Sequence, residues 1–448
     1  MSHQRLARLA LAIALVLTLL SFAQAIHRAR AGRSALIKWR PAVESLLAGN
    51  GVYGVDPTTG REGFPTLPMM ALVLAPFLEL GDVAGATAWA GVKLALAWWS
   101  VLAALRLAAG RARDFPAWGT LAVLLLAARL IASDIAHGNV NLLIAAVLVA
   151  GLLDWSAGRD LRAGIWIGLA AVLKATPLIF ALYFLRKRSW RGLSGLLLGI
   201  GLFAWILPGS ILGWERNLEL TRAWWQQMAQ PYLDGSRLGI TQTEHINQSL
   251  LGVLARLFSA AVAIPAHPPG VPDDVSITLL ALPQATLHLL HRAVCALIIL
   301  AALLAARAPR SSAASHHASG VVQSEQRASL GEWSVFVLAM LLVSERSWKQ
   351  HYVVLFLPLA CLAWHAFPGP RISSPAPDWM VLRARRIAWV GLASSALLHG
   401  LSGSAVLGSV GSDFAEAYGV HLWGALILFV CCAQTISFPR TAATQTGL

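Results

Sequence analysis

The chain has 448 residues, of which 57% are hydrophobic and only 12% are charged. A soluble domain carries about 25% charged residues, so this composition excludes a water-soluble globular protein. The hydrophobic residues form long runs, such as 9–23 and 193–212, without the alternation of outer-membrane barrel strands. At about 20 residues per span they set an upper limit of about a dozen crossings. The composition predicts an all-α, polytopic helical membrane protein.

The charge balance indicates membrane topology rather than a nucleic-acid partner. Lys and Arg number 35 against 21 Asp and Glu, which gives a formal net charge of +14. No basic face alternates with aromatic residues and no nucleic-acid motif occurs, so we assign the excess to cytoplasmic loops by the positive-inside rule. The four cysteines lie in hydrophobic runs without metal-ligand spacing, which predicts buried structural thiols.

The N-terminus is predicted to be a signal-anchor helix over residues 1–26. Arg5 and Arg8 precede the first hydrophobic run, and Ala23-Gln24-Ala25 resembles a signal-peptidase site. We favour the uncleaved helix, because the helices that follow need it for packing. Residues 27–64 then form a first external loop, although their basic residues argue for the cytoplasm.

Positive-inside reasoning divides the rest of the chain. Residues 65–306 form a membrane-embedded core with an external loop at 214–247, and residues 332–436 form C-terminal transmembrane helices. Segment 307–331, rich in Ser, His and Ala, is predicted to be a disordered cytoplasmic loop, followed at the C-terminus by a cytoplasmic tail over 437–448. The basic clusters assigned to the cytoplasm are 111–113, 159–162, 186–191, 307–327 and 371–386.

A polar break interrupts the hydrophobic segment 163–185, which is too short for the two full spans that the topology demands. We therefore expect two short re-entrant helices that meet at Lys174-Ala175-Thr176-Pro177, because Pro177 removes a backbone donor. Lys174 has no acidic neighbour in sequence, which suits binding of an anionic head group. The alternative is an ammonium group that reaches to the interface.

The hairpin 133–141 carries the second polar cluster, predicted on the external face. Asp134 and His137 are three residues apart on one helix turn, which suits general-base chemistry. Asn139 and Asn141 follow as candidate contacts to sugar or acceptor. The alternative is a polar turn that caps two helices.

The predicted external loop carries sugar-binding residue types. Indole rings stack on pyranose faces, and amides and carboxylates bond hydroxyls in both directions. Tryptophan is also an ordinary interfacial anchor, and this alternative stays open. The candidate residues are Trp224, Trp225, Glu244, Asn247 and Gln248.

The turn 344–351 compresses several charges between two hydrophobic segments. Arg346, Lys349 and His351 are candidates for binding the donor phosphate, with mutual salt bridges as the alternative. No cofactor is required. Asp134, Glu244, Glu345 and His351 leave a divalent metal open, but no spacing motif requires one.

At these residues the chain resembles glycosyltransferase family 87, whose members are polytopic bacterial enzymes of the GT-C superfamily. Each matching motif is weak alone, but five in order along most of the chain are fairly specific. The motifs are Leu46-Leu47-Ala48-Gly49 with Val52-Tyr53 and Phe64-Pro65; Gly138-Asn139-Val140-Asn141; Leu173-Lys174-Ala175-Thr176-Pro177; Asn247-Gln248-Ser249-Leu250 with Arg256-Leu257; and Ser347-Trp348 with His351-Tyr352.

The resemblance implies a GT-C-like bundle of about 10–13 transmembrane and re-entrant helices in the bacterial plasma (inner) membrane, with its active face extracytoplasmic. Such enzymes transfer a mannosyl or arabinosyl unit from a polyprenyl-phosphate sugar donor to a lipid or glycan acceptor, without a nucleotide-sugar site. Membrane lipids are therefore the expected partners. A lipid or solute transporter is the alternative from a different class, although the polar groups concentrate on one face.

The chain departs from this family at the first-loop aspartate that is the presumed general base. Ala35 occupies that position. The catalytic candidates are therefore Asp134, Asp56 and Glu44, one of which takes over the role of the base. Otherwise the protein is an inactive relative that binds lipid-linked sugar.

Overall fold

The computed structural model describes residues 3–53, 64–233, 243–266, 274–307, 319–367 and 377–436. These residues are mostly helical, and the only β-pairing among them is an isolated bridge between Ile264 and Val275. The predicted all-α class is confirmed.

The α-helices are named in chain order. Those up to residue 200 are α1 (His3–Arg30), α2 (Ala35–Ala48), α3 (Pro68–Glu79), α4 (Asp82–Ala109), α5 (Ala117–His137), α6 (Asn141–Ser156), α7 (Asp160–Leu173), α8 (Phe180–Arg186) and α9 (Trp190–Ile200). Those after residue 200 are α10 (Leu207–Leu212), α11 (Trp214–Trp224), α12 (Gln230–Leu233), α13 (Leu250–Phe258), α14 (Gln284–Ala305), α15 (Ser319–Leu342), α16 (Phe356–Ala366), α17 (Asp378–Ser395), α18 (Ser404–Ala417) and α19 (Val420–Ile436).

Several of these helices are long and hydrophobic enough to cross a membrane. Five pass on length and composition, namely Gln4–Arg30, Asp82–Ala109, Ala117–His137, Trp190–Leu212 and Gln284–Ala305. A sixth candidate is the pair Asp378–Gly400 and Ser404–Ala417, bent by 82°. Four shorter hydrophobic helices are Pro68–Glu79, Asn141–Ser156, Thr176–Arg186 and Val420–Ile436. The chain is a polytopic membrane protein in which some of the hydrophobic residues lie in helices shorter than a full span.

The described residues of several basic clusters meet at one end of the bundle, here called the basic end. Arginine, lysine and serine side chains tie its loops and helix termini together. The contacts are Arg327 Nε to the Ala108 carbonyl (2.7 Å), Arg307 to the Ile436 carbonyl (2.6 Å), Lys187 to Glu332 (2.8 Å) and Ser189 to Asp160 (2.7 Å). The opposite end, here called the polar end, gathers the first loop, the hairpin 134–141, the break at Lys174 and the turn 344–351. This separation is what the positive-inside assignment requires.

Two loop predictions need correction, and one break is confirmed. Segment 307–331 is not a loop throughout, because α15 begins at Ser319 and continues the hydrophobic helix toward the basic end. The polar segment after Trp214 is helical up to Leu233. The break at Lys174 occurs as predicted, since α7 ends at Leu173 and a 3₁₀ turn, Thr176–Ile179, precedes α8.

Glycines bring α7 and α9 into backbone contact, which fixes where α7 presents Lys174. A Cβ atom at Gly164 would lie 2.1 Å from the Gly192 carbonyl oxygen, and one at Gly195 would lie 2.1 Å from the Leu161 carbonyl oxygen. Small residues at this spacing allow the close helix approach that substitutes for hydrophobic driving force in lipid. The α7–α9 pair is therefore a rigid support.

Arginine side chains bind the C-terminal carbonyls of several helices at the polar end. Arg216 donates to Leu46 and Leu47 of α2 at 2.8 and 2.6 Å, and Arg40 donates to Leu78 of α3 at 2.8 Å. Arg256, which is 0% exposed, donates to Ala417 of α18 at 2.7 Å. These guanidinium groups satisfy carbonyls that lack a partner within the helix and face the negative end of its dipole.

We expect Gly195→Ala to lower the free energy of unfolding by at least about 1–3 kcal/mol, because the added methyl group meets backbone rather than a movable side chain. Thermal unfolding in detergent, followed by circular dichroism, measures the change. The matched control is Gly91→Ala in α4, where a Cβ atom meets nothing within 4 Å and the loss of glycine flexibility favours the helix. Equal melting temperatures for the two variants would contradict the α7–α9 contact.

Candidate functional site

The hairpin between α5 and α6 is built around the buried carboxylate of Asp134. Gly138 ends α5 in the left-handed region with φ of 75°, which glycine adopts without strain. Asp134 then accepts hydrogen bonds from the Leu142 amide at 3.3 Å and from Asn141 Nδ2 at 3.1 Å. The carboxylate therefore caps the start of α6, as in the polar-turn alternative.

Lys93 of α4 completes this cluster, although it is not among the candidates named from the sequence. Its ammonium lies 3.0 Å from Asp134 Oδ2 and also donates to the Asp134 carbonyl, and both side chains are 0% exposed. A lone lysine inside a hydrophobic run was the available signal, since a charge at membrane depth needs a partner. With these partners, the Asp134 carboxylate has no face open to an acceptor hydroxyl.

Lys174 lies on the other side of Asn141. Its Nζ atom donates to Asn141 Oδ1 at 3.4 Å, so Asn141 links the Asp134 carboxylate to Lys174. Among the residues that the structure describes, no carboxylate lies within ion-pair distance of Lys174. An ammonium that is hydrogen-bonded but not ion-paired is available to an anionic ligand.

The turn 344–351 packs over Lys174 and encloses a small cavity with it. The cavity measures about 20 Å³ and is lined by Asn141, Lys174, Thr176, Ser344, Ser347 and His351 together with aliphatic side chains. This volume is close to that of one water molecule. The sequence-predicted phosphate residues Lys174 and His351 are therefore brought together around one space.

His351 is held in a defined protonation state. Burial, together with the charge of Lys174, lowers the pKa of His351 well below its usual range. Its Nδ1 atom accepts a hydrogen bond from the Trp348 amide at 3.2 Å, so the neutral ring carries its proton on Nε2. The neutral ring adds no charge to the cavity, and it is also hydrogen-bonded to the Arg346 backbone.

Lys349 and Arg346 of the same turn lie farther from the cavity. Lys349 Nζ is 3.5 Å from Glu416 Oε1 of α18, and its side chain is 41% exposed. Glu416 was also missed from the sequence, because α18 is distant along the chain and its acid lies in no motif. Arg346 is half-buried beside Ser344, whose hydroxyl donates to the Arg346 carbonyl at 2.9 Å.

The structure places Asn247 and Gln248 as supports of the turn rather than as open sugar contacts. Asn247 Oδ1 accepts from the Ser347 amide at 3.1 Å, and the Gln248 backbone amide donates to the Ser347 carbonyl at 2.6 Å. The Gln248 side chain donates to the carbonyls of His245 and Glu416, each at 2.6 Å. Both side chains are 0% exposed.

The remaining loop candidates are not brought to the cavity. Trp224 Nε1 donates to the Pro65 carbonyl at 3.2 Å, Trp225 is 50% exposed, and Glu244 is exposed. Trp224 therefore ties α11 to the first loop. Trp225 and Glu244 present surfaces at the polar end without a common pocket.

His137 and Asn139 sit where the first loop covers the hairpin. The half-buried His137 has Arg28, Lys38 and Lys349 as electrostatic neighbours. Asn139 is 6% exposed, and its Oδ1 accepts from the Val140 amide at 2.8 Å. This part of the polar end is strongly cationic, which favours anionic ligands.

Ala35, the first-loop position at which the chain lacks the expected aspartate, lies beside this hairpin. A Cβ atom on Gly138 would lie 3.2 Å from the Ala35 nitrogen, so position 35 adjoins the candidate site. Glu44 is 58% exposed and pairs with Arg40 at 3.0 Å, and Arg40 also pairs with Asp82 at 2.6 Å. Asp56 lies outside the described residues. In the described part of the chain, no group of three or more His, Cys, Asp or Glu residues is placed to hold a metal ion.

We expect Lys93→Met to destabilise the protein by about 3–5 kcal/mol, because it leaves Asp134 as an unpaired buried charge. Adding Asp134→Asn should recover part of the loss, since the amide keeps the cap on α6 and carries no charge. A double-mutant cycle on thermal unfolding measures the coupling between the two positions. Additive effects would show that the two side chains are not paired.

Comparison with known proteins identifies the family of the chain. No curated protein and no solved structure shows a significant match to the chain. The sequence profile of glycosyltransferase family 87 matches residues 67–324, more than half of the chain, and this range includes Lys93, the hairpin and the break at Lys174. The chain belongs to glycosyltransferase family 87 and is a membrane glycosyltransferase.

Proposed function

We propose that the protein transfers a hexosyl (mannose-like) or pentosyl unit from a polyprenyl-phosphate donor to a hydroxyl group of a lipid or glycan acceptor. One observation carries the proposal: Lys174 is hydrogen-bonded to Asn141 but has no carboxylate partner among the described residues. A donor phosphate supplies the missing negative charge in a poorly hydrated place, where such an interaction is strong.

The phosphate site proposed here combines one fixed charge with neutral donors. Lys174 and the neutral His351 ring line the same cavity, and Lys349 and Arg346 lie on the turn above it. As the bond between the anomeric carbon and the phosphate oxygen breaks, negative charge grows on the leaving phosphate. Cationic and hydrogen-bonding groups that are already in place stabilise that charge without reorganisation.

The acceptor is proposed to approach from the side of His137, Asn139 and the first loop. Its hydroxyl oxygen attacks the anomeric carbon opposite the phosphate and loses its proton to a carboxylate, so the displacement inverts the configuration. Trp225 and Glu244 are exposed at the polar end and are proposed to contact sugar or acceptor. Asn247 and Gln248 act by holding the turn, because their amide groups are occupied.

The general base is proposed to be Asp56. The other two candidates are engaged elsewhere, since Asp134 pairs with Lys93 in a fully buried position and Glu44 pairs with Arg40. Asp134 is then a positioning residue that sets Asn141 and, through it, Lys174. A base should stay free to accept a proton within hydrogen-bond reach of the acceptor.

We further propose that the polar end faces the extracytoplasmic side of the bacterial plasma (inner) membrane. The clustering of basic loops at the opposite end supports this orientation through the positive-inside rule. Lipid-linked donor and membrane lipids then reach the site laterally, and no cofactor is needed.

We expect Lys174→Met to lower kcat/KM about 10²–10³-fold, because it removes one preorganised donor to the leaving phosphate. The assay follows release of polyprenyl phosphate from synthetic polyprenyl-phosphate mannose or arabinose in nanodiscs that contain a mixed acceptor-lipid extract. Arg191→Met, an exposed cation at the basic end, is the control. Wild-type turnover by Lys174→Met would overturn the phosphate site, and no release with any donor would favour a transporter or an inactive relative.

We expect Asp56→Asn to lower kcat about 10²–10⁴-fold, the usual contribution of general-base catalysis. Glu44→Gln serves as the matched carboxylate-to-amide control in the same loop, and its kcat should stay within a few-fold of wild type. Single-turnover measurements with saturating donor separate the chemical step from product release. Equal losses in the two variants would contradict the assignment of the base.

A further inference from the structure

A second cavity, remote from Lys174, runs between α1, α4 and α5. Its volume is about 260 Å³, and its walls are almost entirely hydrophobic. Ala7, Ala14 and Ser21 line it on α1, Trp98 on α4, and Ala128 and Ile135 on α5. The cavity exists because small side chains on α1 do not fill the volume between α1, α4 and α5.

The long axis of this cavity follows the helices from one end of the bundle toward the other. Ala7 and Arg113 line it near the basic end, and Ser21 and Ile135 line it toward the polar end, where Ile135 follows Asp134. The distance along α1 from Ala7 to Ser21 is about 21 Å at 1.5 Å per residue. This is about two thirds of the hydrocarbon thickness of a bilayer. The groove thus has the length and polarity for one extended hydrocarbon chain.

Arg28 lies on α1 two helical turns beyond Ser21, on the polar-end side of this groove. Positions separated by seven residues stay on one helix face, with a drift of only about 20°, so Arg28 continues the line of Ala7, Ala14 and Ser21. Its Nε atom is buried without a hydrogen-bond partner. Its electrostatic neighbours are His137 and Arg33 rather than an acid. A half-buried guanidinium whose Nε atom has no hydrogen-bond partner, at the end of a hydrophobic groove, is complementary to an anionic lipid head group.

This position is separate from the proposed donor-phosphate site. Lys174 contacts Asn141 at the start of α6, whereas α1 packs against α4 and α5. The buried Lys93–Asp134 pair lies between α4 and α5. The cationic side chains of Lys174 and Arg28 therefore lie on different sides of the hairpin.

We propose that the groove of α1, α4 and α5 holds the hydrocarbon chain of the acceptor and that Arg28 binds its anionic head group. This inference rests on the proposed glycosyl transfer and names the acceptor class as an anionic lipid rather than a soluble glycan. The donor occupies the Lys174 side, and the acceptor hydroxyl enters the reaction next to His137.

The test is photo-crosslinking in nanodiscs with phosphatidylglycerol that carries a diazirine in the middle of one acyl chain. We expect labelled peptides from α1, α4 and α5, and at least about tenfold weaker labelling in Arg28→Gln, the loss expected for a charged hydrogen bond. Ala128→Phe, which fills the groove, should also abolish labelling. The matched controls are Arg30→Gln and Ala12→Phe, two exposed positions of α1 outside the groove, and both should label like wild type.

Two outcomes would overturn the inference. Equal labelling by a phosphatidylcholine probe with the same chain would show that Arg28 selects no anionic head group. Displacement of the probe by unlabelled polyprenyl phosphate would assign the groove to the donor. Because labelling needs no turnover, specific labelling without any sugar transfer would leave this site standing while the proposed function failed. Sugar transfer without labelling would overturn this lipid site and leave the proposed function standing.

Discussion

The buried ion pair between Lys93 and Asp134 is the constraint on which the polar end depends. Two charges at this depth must satisfy each other and every remaining hydrogen-bonding position, or the helices that carry them separate. The pair therefore fixes α4 against α5. The Leu142 amide and the Asn141 side chain donate to the same carboxylate, which joins it to the start of α6. Asn141 then orients Lys174. A chain of four polar side chains thus transmits the packing of the bundle to the cation proposed to bind phosphate.

Lys174 is also held in place by α7, which packs against α9 through backbone contacts rather than through charges. Gly164 and Gly195 let α7 and α9 touch through their main chains, and such contact leaves no side-chain freedom to absorb a shift. The last turn of α7 is therefore fixed when the helix breaks at Lys174. Pro177 then prevents the helix from continuing. The ammonium is held from two directions, by the carboxylate network and by the glycine contact.

The sequence predicts the helical class, the break before Pro177 and the clustering of motifs at one end, because these follow from hydrophobic runs and proline chemistry. It does not predict Lys93 or Glu416 as partners, since each meets its counterpart only through tertiary packing. The polar motif at Asn247 and Gln248 has the side chains of a sugar site, but the fold uses them to hold backbone amides and carbonyls. Composition also made 319–331 look disordered, whereas α15 begins at Ser319 and includes this segment.

The arginines that bind helix C-termini have an electrostatic consequence. In the described part of the chain, Arg216 and Arg256 donate to backbone carbonyls rather than to carboxylates, and Glu416 is the acidic neighbour of Arg256. Backbone dipoles stabilise these two charges but do not cancel them. Near a low-dielectric membrane, the polar end keeps a positive potential that extends beyond the site itself. Diffusing phospholipid head groups experience this field before contact. Capture of anionic substrates should consequently accelerate at low ionic strength, even though the residues responsible never touch them.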